Sequence, residues 1–260
     1  MILPISPFNN ITTRKSSKIS FKAHPDFVRL SKNYNITASS YFRRGQAYGS
    51  ADENFVDIVK LFEKIFTKQI KAPLKMLIGG IGESQEPFSY LAVIKNIIKD
   101  KKINEVLDLN IIDLQSKPNK EELFKNSYFE FSHKPDYASN SFVEDIYPRM
   151  RFNSITGYYR VNDEIFDYLN NTYTDIEKSN WESRIQDSIK KYPNEEFNII
   201  SINNTLGYIA NKQERIDTLQ DSYRILKKDG VLISDPDNFF IKEAGLINIL
   251  EEIVPGIYKK

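Results

Sequence analysis

Cysteine is absent from the 260 residues of this chain, which removes disulfides, thiolate metal ligands and thiol nucleophiles at once. Only two histidines are present, so no zinc site is expected. Charge of one sign is not in excess: 36 Lys and Arg against 35 Asp and Glu leave a formal net charge of +1. That balance gives no long-range pull toward nucleic acid or an anionic membrane, and neither partner is expected. No apolar run is long enough to cross a bilayer. The opening Met1-Ile2-Leu3-Pro4-Ile5 is too short and too proline-broken for the apolar core of a signal peptide. A cytoplasmic, monomeric protein is the expectation.

What is present is a globular composition, with 40% hydrophobic and a generous 13% aromatic residues. The length suits one large domain, alone or with an appendage. Ser6 to Lys22 carries Arg14, Lys15, Lys18 and Lys22 with no acid, so residues 1–25 read as a flexible basic arm. Residues 26–72 read as an N-terminal helical segment. Asp26 caps a short helix holding Phe27, Val28 and Leu30, and Asp52 to Lys71 is amphipathic, with Phe55, Ile58, Val59, Phe62, Ile65 and Phe66 on one face.

Residues 73–260 are organised around Lys75 to Lys95. Met76 to Ile78 is a buried parallel strand. Gly79, Gly80 and Gly82 break it, and Glu86-Pro87 opens a helix whose buried face is Leu91, Val93, Ile94, Ile97 and Ile98. Strand, glycine turn and helix make a nucleotide-type site, because glycine lets backbone approach a ligand and a helix start offers free N–H groups. Counting from Gly80, Gln85 stands where the dinucleotide fingerprint needs glycine, and no Gly-Lys-Ser/Thr follows. A ligand without phosphates, such as S-adenosylmethionine, fits better.

Leu107 to Leu114 reads as the next strand. An acid at its end suits a ribose, whose hydroxyls donate to a carboxylate; Asp113 is chosen, with Asp108 and Asn110 as rivals in register. Phe197 to Ile202 is a further strand running into Asn203-Asn204, and Glu214 to Leu226 is a helix. Gly230 caps that helix at its C-terminus. Val231 to Asp235 is a strand, and Ile241 to Glu252 a final amphipathic helix. Alternating strands and helices predict an α/β doubly wound fold.

Glu86-Pro87-Phe88-Ser89 resembles the E-P-Y-S signature of CheR-type chemotaxis receptor methyltransferases. Two further stretches carry the likeness. Asn35 to Arg44 is similar to the N-x-T-x-F-F-R segment. Phe197 to Ile209 is similar to F-D-x-I-x-x-R-N-V-x-I-Y-F, with Asn203 in place of the arginine. Tyr158 to Ile165 resembles R-V-x-x-E-L, and Leu226 to Leu232 resembles the L-K-P-G-G-x-L common to class I methyltransferases. The family's G-H-S-E is replaced by Ser234-Asp235-Pro236-Asp237.

The resemblance implies a class I methyltransferase fold: a Rossmann-like, mostly parallel sheet of seven strands closed by an antiparallel hairpin. It implies S-adenosylmethionine as cofactor, held by Gly79, Gly80, Gly82, Glu86, Asp113, Asp175 and Asn204. Arg43 would hold the acceptor carboxylate and Tyr208 would line the methyl channel. Asp175 falls where the family places a partner for the adenine amine, although the same residue also suits a cap for a helix beginning near Ser179. The acceptor implied is a protein carrying glutamate carboxylates. No inserted receptor-docking hairpin is read in the sequence. Two alternatives stay open: the same fold acting on another nucleophile, and a cofactor-binding module without activity.

Overall fold

The computed structural model describes residues 27–29, 61–67, 72–82, 84–120, 122–123, 127–131, 150–153, 158–203, 205–235 and 238–260. The basic arm, Arg43 and Asn204 lie outside them. In chain order the elements are β1 (Phe27–Arg29), β2 (Leu74–Gly79), α1 (Gln85–Ile98), α2 (Ile103–Val106), β3 (Leu107–Asp113) and β4 (Tyr128–Phe131). Then come β5 (Met150–Asn153), β6 (Tyr158–Val161), α3 (Asp163–Thr174), β7 (Ser179–Trp181), α4 (Ile185–Lys190) and β8 (Phe197–Ser201). A 3₁₀ turn (Leu206–Tyr208), α5 (Lys212–Ile225), β9 (Leu226–Ile233), α6 (Phe239–Glu243), β10 (Glu251–Val254) and β11 (Ile257–Lys259) complete the order.

One sheet has seven strands in the order β10-β11-β9-β8-β2-β3-β7. The run β9 to β7 is parallel, while β11 pairs antiparallel with β9 and with β10. The expected α/β doubly wound, Rossmann-like sheet of seven strands closed by an antiparallel hairpin is therefore present. From β2 the chain winds outward to β3 and β7, then returns to place β8 on the other side. That reversal is a topological switch point, and it lies between β2 and β8.

Alternation along the strands builds a core on each face. Met76 and Ile78 of β2 join α1, α2, α3 and the buried Phe62 and Phe66 on one side. Leu77, between them, joins Phe197, Ile200, α4, α5 and α6 on the other. Each such fully buried side chain contributes about 1.5–3 kcal/mol by leaving water. α1 is buried almost all round, including Lys95, whose Nζ pairs with Glu164 of α3 at 2.8 Å. β7 pairs with β3 only from Ile111 onward. Tyr168 of α3 covers the earlier edge: its hydroxyl donates to Leu107 O at 2.7 Å and accepts from Leu109 N at 3.2 Å.

Several expectations are corrected. Phe27–Arg29, read as part of a helix, is a strand paired with β4. Tyr128–Phe131, read as a connector, is the strand β4. With β5 and β6 these form a second, four-stranded sheet of order β1-β4-β6-β5. The β5–β6 pair is thus a hairpin inserted between β3 and α3, which the sequence did not disclose. Ser179 begins a strand rather than a helix. The final helix stops at Glu243, and Glu251 to Lys259 is the closing hairpin. α5 ends at Ile225 with the extended Leu226 as its C-cap, so Gly230 does not cap it; the left-handed residue nearby is Asp229, at φ 62° within β9. Gly230 is needed for a different reason, since a Cβ there would lie 2.8 Å from Leu226 Cδ1 and Lys227 O.

Candidate functional site

The carboxyl ends of β2, β3, β7, β8 and β9 meet on one rim of the sheet. β2 ends in Gly79, and Gly80 turns the chain at φ 75°. A Cβ on Gly80 would overlap the hydroxyl of Thr205 and reach within 2.8 Å of its Cγ2. Glycine here is required by protein packing as well as by the positive φ. The same Thr205 hydroxyl donates toward Gly79 O at 2.8 Å and Asn203 O at 3.1 Å. It ties the end of β8 to the glycine turn.

Asp113, at the end of β3, reaches the turn from the opposite side. Its Oδ2 accepts from Ile81 N at 2.7 Å and Gly82 N at 3.3 Å, and its Oδ1 accepts from Gln115 N at 2.7 Å. Burial raises its carboxyl above the ordinary value, against those backbone donors, which lower it. The register separates the three acids and amides weighed on this strand. Asp108 pairs with Lys178 at 2.8 Å near the start of β3, Asn110 lies mid-strand beside Leu77, and Asp113 alone ends it.

Behind the turn α1 contributes two buried polar links. Ser84, at φ 69°, is the N-cap residue but does not cap with its side chain. Its Oγ instead accepts from Tyr173 Oη of α3 at 2.8 Å. Burial holds the Tyr173 phenol well above its ordinary value, so it stays a donor. Glu86, 3% exposed, accepts from Ser201 Oγ at 2.5 Å, and Ser201 lies 3.1 Å from Tyr90 Oη. Glu86 is thereby bound to the end of β8.

The structure thus brings Gly79, Gly80, Gly82, Asp113 and Glu86 together. Tyr208, 72% exposed, stands beyond Thr205 on the same rim. Asp175 is placed elsewhere. It is the C-cap of α3, and its carbonyl accepts from Ser179 N at 2.9 Å before β7 begins. It therefore lies at the amino end of β7, whereas Asp113 pairs with Trp181 at the carboxyl end. The family-implied adenine position of Asp175 does not follow from this geometry. Arg43 and Asn204 lie outside the described residues.

Three residues on the rim carry no ligand role in the sequence expectations. Trp181 Nε1, both amide atoms of Asn203 and Ser234 Oγ are buried without a hydrogen-bond partner; Trp181 ends β7, Asn203 follows β8 by two residues and Ser234 follows β9 directly. All three are uncharged, a set that fits a polar ligand lacking phosphates. The signals were slight: the chain's one tryptophan, and polar residues directly after apolar strands.

The rim, the switch point and the seven-strand order fix the fold.

No family profile and no curated protein matches this sequence. Among solved structures the chain is similar to the DszA carbon methyltransferase, at 14% identity and a TM-score of 0.39 over 78% of this chain. It spans 41% of that protein's length. It is also similar to a SAM-dependent methyltransferase from Aquifex aeolicus, at 12% identity and a TM-score of 0.36, covering 78% of this chain and 87% of that one. The O-methyltransferase NovP is similar at 12% identity and a TM-score of 0.37, with 78% of each chain covered.

Among the described residues no group of three or more His, Asp or Glu side chains is placed to hold a metal ion. No helix among them is long and apolar enough to cross a membrane.

Proposed function

We propose that this chain is an S-adenosylmethionine-dependent methyltransferase whose acceptor is a protein carboxylate. The observation that carries the reading is the glycine turn after β2, braced by Asp113 from the next strand at the switch point of a seven-stranded doubly wound sheet. The likeness to the CheR type at Gly82 to Ser89 and Phe197 to Ile209 supports the carboxylate. So does the inserted β5–β6 hairpin, an element of the kind on which a protein acceptor docks.

When bound, the cofactor supplies a methyl group activated by its sulfonium. The chain would then need only to align and to exclude water. A glutamate acceptor is already ionised at neutral pH, with an ordinary pKa of about 4.3, so no general base is required. Arg43 would hold that carboxylate, and Tyr208 would line the path of the methyl. Asp113, Gly79, Gly80 and Gly82 would face the ribose and the chain of the cofactor, with Asn204 beside them and Glu86 fixing α1 beneath.

Labelled methyl transferred to a protein acceptor should be released as volatile methanol by mild alkali, because a carboxyl methyl ester is cleaved by hydroxide. Label that resists alkali, or a rate climbing through about pH 8–10, would move the protein to an amine or phenol acceptor. Arg43→Ala should abolish transfer while leaving cofactor affinity unchanged. Failure of S-adenosylhomocysteine to bind at millimolar concentration would end the methyltransferase reading.

A further inference from the structure

We infer that the side-chain amide of Asn203 is a ligand contact at the switch point, pairing with the α-amino-acid end of S-adenosylmethionine. The inference rests on the cofactor reading above and adds a residue to it. Asn203 is 1% exposed, yet neither its Oδ1 nor its Nδ2 meets a hydrogen-bond partner. Native interiors satisfy nearly all such groups, and an amide unpaired at both ends is the exception that calls for a cause.

Its position gives the cause. Asn203 follows β8 by two residues, and Ser201 pairs across to both β2 and β9. Thr205 joins the Asn203 carbonyl to the Gly79 carbonyl. The backbone of Asn203 therefore sits beside the glycine turn, on the β8 side of β2, and its side-chain amide is within one side chain's reach of that turn. Asp113 reaches the same turn from the β3 side. A ligand lying across the turn, with its ribose toward Asp113, would have its other end toward Asn203.

The chemistry of the amide narrows what that end must be. Nδ2 needs an acceptor and Oδ1 needs a donor, side by side. A lone carboxylate or phosphate satisfies Nδ2 and leaves Oδ1 unpaired. An α-ammonium carboxylate offers one of each within a single group. Ser234 and Trp181 carry one unpaired atom each and set no such double demand.

Calorimetry with the full chain tests this, using S-adenosylhomocysteine and 5′-methylthioadenosine, which lacks the amino-acid end. Asn203→Leu, close in volume and apolar, should weaken S-adenosylhomocysteine by about 10- to 100-fold, the loss of hydrogen bonds to charged groups. It should leave 5′-methylthioadenosine affinity unchanged, and the ligand-free variant should melt no lower than the wild type. Equal weakening of both compounds, or no weakening of either, would overturn the role of Asn203 while leaving the cofactor reading standing. Should the variant fail to fold, the wild type decides through ligand analogues. Removing the α-amino or the α-carboxylate group of S-adenosylhomocysteine should each weaken binding by about tenfold or more, and retention of full affinity by either analogue overturns the inference. Binding of neither parent compound to the wild type removes both proposals together.

Discussion

Replacing Asp113 tests how the glycine turn is held. In Asp113→Ala three backbone N–H groups lose their acceptor, but they do not lose equally. Gln115 is exposed and Gly82 half-buried, so water can take over there, whereas Ile81 is buried. One buried donor left unpaired costs about 1–3 kcal/mol, and relief from burying a charge offsets part of it. A net loss at the lower end of that range is expected in urea unfolding. Asp113→Asn keeps one acceptor oxygen and removes the charge, which exposes the pH dependence.

The folded carboxyl is raised above its ordinary value of 3.8. Its stabilising contribution is therefore complete below that value and is lost as pH rises through the folded value. Wild-type stability minus that of Asp113→Asn should fall as pH is raised from about 4 toward neutrality. A difference that grows with pH would show that the backbone donors outweigh burial, and the reasoning would be refuted.

Tyr168→Phe should cost about 1–3 kcal/mol in urea unfolding, because Leu109 N–H and Leu107 C=O lose their shared partner at the edge of β3; an unchanged midpoint would mean that water reaches that edge. Gly80→Ala should destabilise strongly through overlap with Thr205. Adding Thr205→Ala should recover the overlap, leaving about 1–2 kcal/mol of left-handed strain and the lost hydroxyl contacts. Strict additivity of the two substitutions would deny the clash.

The parts legible in sequence are those whose signal is local. Met76 to Ile78 is an apolar run and Leu107 to Leu114 is rich in Leu and Ile, both of which read as strands, and the periodic face after Pro87 reads as a helix. Ser179–Trp181 has no such signature. It is a strand because Ile111 to Asp113 offers it a free edge, which is a tertiary fact. Asp175, the adenine partner that the resemblance implies, precedes that strand at the C-cap of α3, and Trp181 ends it. The closing hairpin was masked because Ile241 to Glu252 reads as one amphipathic helix, with Ile247 and Leu250 at helical spacing. Gly245, at φ 72°, stops α6, and Pro255-Gly256 makes the turn between β10 and β11. Asp113 was readable because an acid after an apolar strand is conspicuous. Asn203 was not, since the lack of a partner is a property of the surroundings and not of the residue.

The two outer rims of the seven-stranded sheet bear on how the protein behaves in a crowded solution. Unpaired N–H and C=O groups along a sheet margin are a template for strand addition by another chain, the first step toward aggregation. On one side the edge strand is β7, three residues long, and the stretch of β3 that it leaves uncovered is occupied by the Tyr168 hydroxyl. The opposite margin is β10, four residues long, which carries the exposed Glu251 and Glu252 and runs directly into Pro255. An incoming strand would meet a three-residue edge and a phenol at one margin and two carboxylates and a proline at the other.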